Sequence, residues 1–77
     1  MKTRPHILLD LTVTIPPLAL LKASEAFRKM NRGEILEILS QDQETRDSLF
    51  KVLPSSQYDL IKITEKETVC RILLKKI

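Results

Sequence analysis

The sequence predicts an α+β fold: a two-layer α/β sandwich in the order β-α-β-α-β-β, with a four-stranded mixed sheet and both helices on one face. Three observations predict it. Short apolar runs of strand length alternate with stretches of helical period. Pro16, Pro17 and the sole glycine, Gly33, punctuate the joins. The last two strands face each other across a short polar turn, as in a hairpin.

His6 to Leu11 is nearly continuously apolar, as in a covered or parallel strand. The first helix follows, from about Pro17 to Met30. Proline fits a first helical turn because its missing N–H would be unpaired there anyway, and Pro16 holds Ile15 extended. Leu20, Ala23, Phe27 and Met30 recur at the spacing of a buried stripe. Lys22, Glu25 and Lys29 fall opposite, and Glu25 stands four residues before Lys29, the favourable order for an ion pair. Gly33 sits where a left-handed helix cap needs a glycine. Glu34 to Ser40 is the second strand, and the βαβ unit so formed implies parallel strands and a right-handed crossover. Asp42 is placed to cap the second helix, with Glu44 in its first turn. Leu49, Val52 and Leu53, with Phe50 nearby, give that helix its apolar side, and Pro54 ends it. Tyr58 to Thr64 and Thr68 to Lys75 form the closing hairpin around Glu65-Lys66-Glu67.

The chain has 77 residues, which is expected to be a single small domain over 1–77 with a thin margin of stability. No apolar run approaches the roughly 18 residues of a membrane span, and the N-terminus lacks a signal-peptide pattern, so no membrane association and a cytoplasmic location are expected. The single cysteine, Cys70, excludes an internal disulfide and a thiolate metal cluster. Net charge is +3, but residues 1–32 hold six basic side chains (Lys2, Arg4, Lys22, Arg28, Lys29, Arg32) against two acidic ones (Asp10, Glu25). That basic first third is suited to an acidic partner, but a solvated helix face is the favoured reading.

From Leu9 onward the sequence resembles the TusA/SirA-like family of small sulfur carriers. The family pattern opens Leu-Asp-Leu-Arg-Gly, continues after two residues with Cys-Pro-x-Pro, and closes on an apolar Leu-Leu-Lys-Ala. Here Leu9-Asp10-Leu11 matches the opening and Leu20-Leu21-Lys22-Ala23 the close. Gly33-Glu34-Ile35-Leu36-Glu37-Ile38 resembles the family's Gly-Glu-Val-Leu-Glu-Val, and Asp42 falls on the aspartate that follows. The register runs without a gap from Asp10 to about Ile61, so the resemblance covers most of the chain.

The departures concentrate where the family's chemistry lies. Pro16 stands at the cysteine, Pro17 keeps the first motif proline, Ala19 replaces the second, and Val13 replaces a glycine. Gln43, Ser48 and Phe50 also depart from the pattern near the second helix. A thiolate at a helix N-terminus is stabilised by the helix dipole and nearby N–H groups, which favours carrying a persulfide. Proline has neither thiol nor proton, and Thr14 is a hydroxyl without an evident base. The resemblance therefore implies a sulfurtransferase-family domain that is inactive as a sulfur carrier, with no catalytic residue and no cofactor, acting by docking onto a protein of a sulfur relay. The docking patch would comprise Lys22, Glu25, Arg28, Lys29 and Arg32. Asp10 and Asp42 are candidates for a pocket near the motif.

The other candidates are bland. Cys70 reads as a packing residue in a strand. His6 is a lone histidine, and no cluster has metal-ligand spacing. No catalytic carboxylate pair, triad or phosphate loop is present. The alternative reading is a binding or regulatory module on the same fold, whose partner is RNA or a second copy. The family fold resembles the C-terminal domain of translation initiation factor three, which contacts RNA. Against RNA stands the scarcity of aromatics: one Tyr and two Phe.

Overall fold

The structure, a computed structural model, describes residues 6–77; Lys2 and Arg4 of the basic first third lie outside the described residues. The order is β1 (His6–Asp10), α1 (Pro16–Lys29), β2 (Ile35–Ser40), α2 (Gln43–Val52), a short 3₁₀ turn (Ser55–Gln57), β3 (Tyr58–Lys66) and β4 (Val69–Lys76). This is the β-α-β-α-β-β order the sequence predicts. The sheet is mixed, in the order β1-β2-β4-β3. β1 and β2 are parallel, as the helical crossover requires, whereas β4 runs antiparallel to both β2 and β3. The second strand of the hairpin thus takes the central position and the first becomes an edge.

Alternation along the strands divides the sheet. Leu36, Ile38 and Ser40 of β2 and Cys70, Ile72 and Leu74 of β4 are buried against the helices. Ala19, Ala23, Phe27 and Met30 of α1, and Leu49 of α2, close the core from the other side. Complete burial of a Leu such as Leu36 or Leu74 contributes about 1.5–3 kcal/mol. Small Ala19 and Ala23, both fully buried, let α1 lie close to its neighbours. The α1 stripe therefore begins at Ala19, and Leu20 is half-buried at its side.

The helix ends differ from expectation in instructive ways. α1 finishes with Met30 extended, its N–H donated to the Phe27 carbonyl at 3.1 Å. Gly33 has the positive φ its residue type suggested, +90°, but it is not the helix cap. It occupies the third position of the turn Asn31–Glu34, closed by Glu34 N–H to the Asn31 carbonyl at 3.1 Å, where a type II turn demands positive φ. The C-terminal carbonyls of α1 find a different donor: the Lys76 ammonium bonds the Phe27 carbonyl at 2.8 Å and lies 4.6 Å from the centre of its ring. Tyr58 meets the same ring edge-on at 5.9 Å.

Asp42 does occupy the N-cap position of α2, yet its carboxylate bonds no backbone N–H of the helix. It accepts instead from the hydroxyl of buried Thr45 at 2.7 Å. Val52, expected inside, is 47% exposed, because Leu49 and Leu53 already fill the core beneath α2. Glu25 and Lys29 do not come within ion-pair distance. β1 is parallel to β2 as expected and packs Ile7 and Leu9 against the core, but it is an edge strand covered on one face only, and Leu8 on its outer face is 60% exposed. The hairpin turns at Glu67-Thr68, since Lys66 still pairs with Val69. Lacking a glycine, it places Glu67 at φ +59°. No helix among the described residues is long and apolar enough to cross a membrane.

Candidate functional site

Parallel β1 and β2 end at the same side of the sheet, and antiparallel β4 begins there. The start of α1, the start of α2 and the β3–β4 turn therefore gather at one end of the molecule. Asp10, Pro16, Pro17 and Asp42 lie there, and Lys22, Glu25, Arg28 and Lys29 follow along α1.

The α1 tip is built by a tight loop. Asp10 ends β1, and its Oδ1 accepts from the Thr12 N–H at 3.0 Å and the Thr12 hydroxyl at 2.6 Å, an Asx-type turn. The Thr12 hydroxyl first, and its N–H second, hold the exposed carboxyl below its ordinary range. Leu11 is buried and donates its N–H to the Leu39 carbonyl at 2.8 Å, pinning the loop to β2. Ile15 is the extended N-cap residue, and Pro16 and Pro17 fill the first two helical positions. The Ala19 N–H closes the first helical bond onto the Ile15 carbonyl at 2.9 Å.

This geometry decides what the tip offers. A helix N-terminus attracts an anion through its unpaired N–H groups. Here two of those donors are removed by proline and Ala19 uses its own, so Leu18 is the first helical residue with an N–H to give. The side chains around it are apolar: Val13 is 93% exposed, Ile15 61%, and Leu18 and Leu21 about half. Sequence reasoning missed this apolar crest, although the i, i+3 spacing of Leu18 and Leu21 carries its signal. Beyond it along α1, Lys22, Glu25, Arg28 and Lys29 are exposed, and exposed Arg32 follows in the turn.

Asp10 stands at the α1 tip and Asp42 at the start of α2. Asp42 lines a cleft of about 150 Å³ with Ser40, Arg46, Glu65 and Cys70, and Asp10 is absent from it. Arg46 bridges that cleft: its guanidinium pairs with Glu65 and reaches the Cys70 sulfur at 3.7 Å. The sulfur first, and the carboxylate after it, push Arg46 further up from its already high value. Cys70 itself is buried. It faces Ser40 across the β2–β4 ladder, two strands and about 10 Å from β1. The fold thus brings the only thiol to the same end of the sheet as Pro16, but not to the α1 tip. No group of three or more metal-ligating side chains occurs among the described residues.

Comparison with known proteins agrees with the motif reading. The family model described as "Sulfurtransferase TusA" matches residues 7–76. The chain is also similar to the "Putative sulfur carrier protein MJ0990" of Methanocaldococcus jannaschii, with 29% identity over 68 residues, spanning 88% of this chain and 91% of that protein. No solved structure matches it.

Proposed function

The chain belongs to the TusA family of sulfurtransferases, and on that premise we propose that it serves a sulfur relay as a docking domain without carrying sulfur at its helix tip. One observation carries the reading: the first position of α1, where the family pattern has cysteine, is Pro16, which removes the thiol and the N–H together. A carrier must offer a thiolate to the outer sulfur of a donor persulfide, the donor thiolate leaving as the new S–S bond forms. At this tip no side chain from Val13 to Leu18 can do so. Cys70 is buried beneath Arg46, which supports the packing role.

What the tip retains suits contact. The apolar crest of Val13, Ile15, Leu18 and Leu21 adjoins the charged outer face of α1, giving an apolar centre with a basic flank. Binding to a purified cysteine desulfurase, measured by calorimetry, tests the docking. The Lys22→Glu/Lys29→Glu variant should bind at least about fivefold more weakly with unchanged circular dichroism. Unchanged affinity removes this face from the interface, and absence of any binding by the wild type removes the docking reading for that partner.

A further inference from the structure

The sheet face turned away from the helices is laid out by the strand register. Leu8, Glu37, Leu73 and Lys62 form one row across the four strands, and Asp10, Leu39, Arg71 and Thr64 the next. At its centre Glu37 is nearly buried although no helix covers it. His6 Nε2 lies 2.8 Å from one of its oxygens and Arg71 Nη1 lies 2.9 Å from the other. These diagonal contacts, of the kind neighbouring strands permit, fold the central charge inward. Two zones remain outside it. Leu8 is 60% exposed, and Leu39 and Leu73 are half-buried, an aliphatic strip. Beside it runs an open groove of about 610 Å³ along β3 and β4, lined by Lys62, Lys66, Arg71 and Leu73, with Glu67 as its one carboxylate. Lys62 and Lys66 have no ion-pair partner among the described residues.

We propose that this open face is a second docking surface, and that its occupant is an acidic amphipathic segment of a partner protein. Apolar side chains of the segment would lie on Leu8, Leu39 and Leu73, and its carboxylates against Lys62 and Lys66. Charge complementarity selects that occupant over the others. A single-stranded nucleic acid wants aromatic or free guanidinium planes for its bases. Here Phe27 and Tyr58 pack together on the helix side, Phe50 packs against the core from α2, and the Arg71 guanidinium is held by Glu37. A second copy brought face to face about an axis across the strands would set the same lysines against one another, which opposes that pairing. The inference goes beyond the relay reading, because it concerns the face opposite α1 and holds whether or not the α1 crest binds a desulfurase.

The test is a titration of the isotope-labelled full chain, followed by amide chemical shifts, with three probes. They are a helical peptide of Leu and Glu, its Leu and Lys counterpart, and polyuridine RNA. The expected result is saturable binding of the Leu/Glu peptide alone, with shifts confined to Leu8, Leu39, Arg71, Leu73 and their neighbours. The Lys62→Glu/Lys66→Glu variant, exposed and neutral to the fold, should weaken it at least about fivefold, and so should raised salt. Shifts that map to α1, preferential binding of RNA or of the Leu/Lys peptide, or no binding at all would each overturn the proposal. So would a dimer by light scattering that the Leu8→Glu variant dissolves, since that makes a second copy the occupant.

Discussion

Two described residues have positive φ, Gly33 at +90° and Glu67 at +59°, and they make opposite predictions. A left-handed conformation costs an L-residue about 1–2 kcal/mol. Glycine avoids that cost but orders more backbone freedom on folding, about 0.5–1 kcal/mol. Gly33→Ala should therefore destabilise by the difference, about 0.75 kcal/mol at mid-range and about 1.5 kcal/mol at most. A Cβ built on Gly33 meets nothing within 4 Å, so the loss is conformational with no steric part. Glu67→Gly should stabilise by the same amount for the same reason with the sign reversed, about 0.75 kcal/mol at mid-range. With about 2.1 cal/mol/K per residue over 77 residues, each kcal/mol moves Tm by about 6 °C. The positions lie at opposite ends of β2 and β4, so the double variant should sit near the wild type. Urea melts with unchanged slope measure all of this. A stabilising Gly33→Ala, or a destabilising Glu67→Gly, would refute the backbone account of both turns.

Lys76→Met keeps the aliphatic stem but removes the bond to the Phe27 carbonyl and the charge over its ring, and should cost about 1–2 kcal/mol in the same melts. Cys70, buried under Arg46, should react slowly with a thiol reagent in native protein and at once in denaturant, and Arg46→Ala should speed the native reaction. Asp10 should titrate by NMR below its ordinary 3.8, and Thr12→Val should raise it. Its folded-state value is the depressed one, so its contribution to stability is present above the unfolded-state value and fades as pH falls below about 4.

Local signals made the element order legible. Pro16-Pro17 start α1 because proline has no N–H to waste there, and Pro54 stops α2 because it cannot continue one. The pairing of β1 with β2 followed from a helix joining two short apolar runs. What could not be read was which side of each run would be covered. Leu8 belongs to as apolar a stretch as Leu36, but alternation turns it to the bare face and β1 lies at the edge. Val52 has a core-like residue type, yet neighbouring Leu53 takes the buried place. At the site, the missing thiol was visible as Pro16. The Arg46, Glu65 and Cys70 cluster was not, because its members are 19 and 24 residues apart and meet only once β4 inserts between β2 and β3. The burial of Glu37 likewise depends on His6 and Arg71 arriving from two other strands.

The most direct measurement is the intact mass of the protein after incubation with a cysteine desulfurase and cysteine, run beside Pro16→Cys and Cys70→Ser. A wild type that gains no sulfur, beside a Pro16→Cys variant that does, is the predicted result, since that change restores both the thiol and the N–H at the start of α1. A wild type that accumulates persulfide, and loses that capacity in Cys70→Ser, would contradict the account and make Cys70 the carrier.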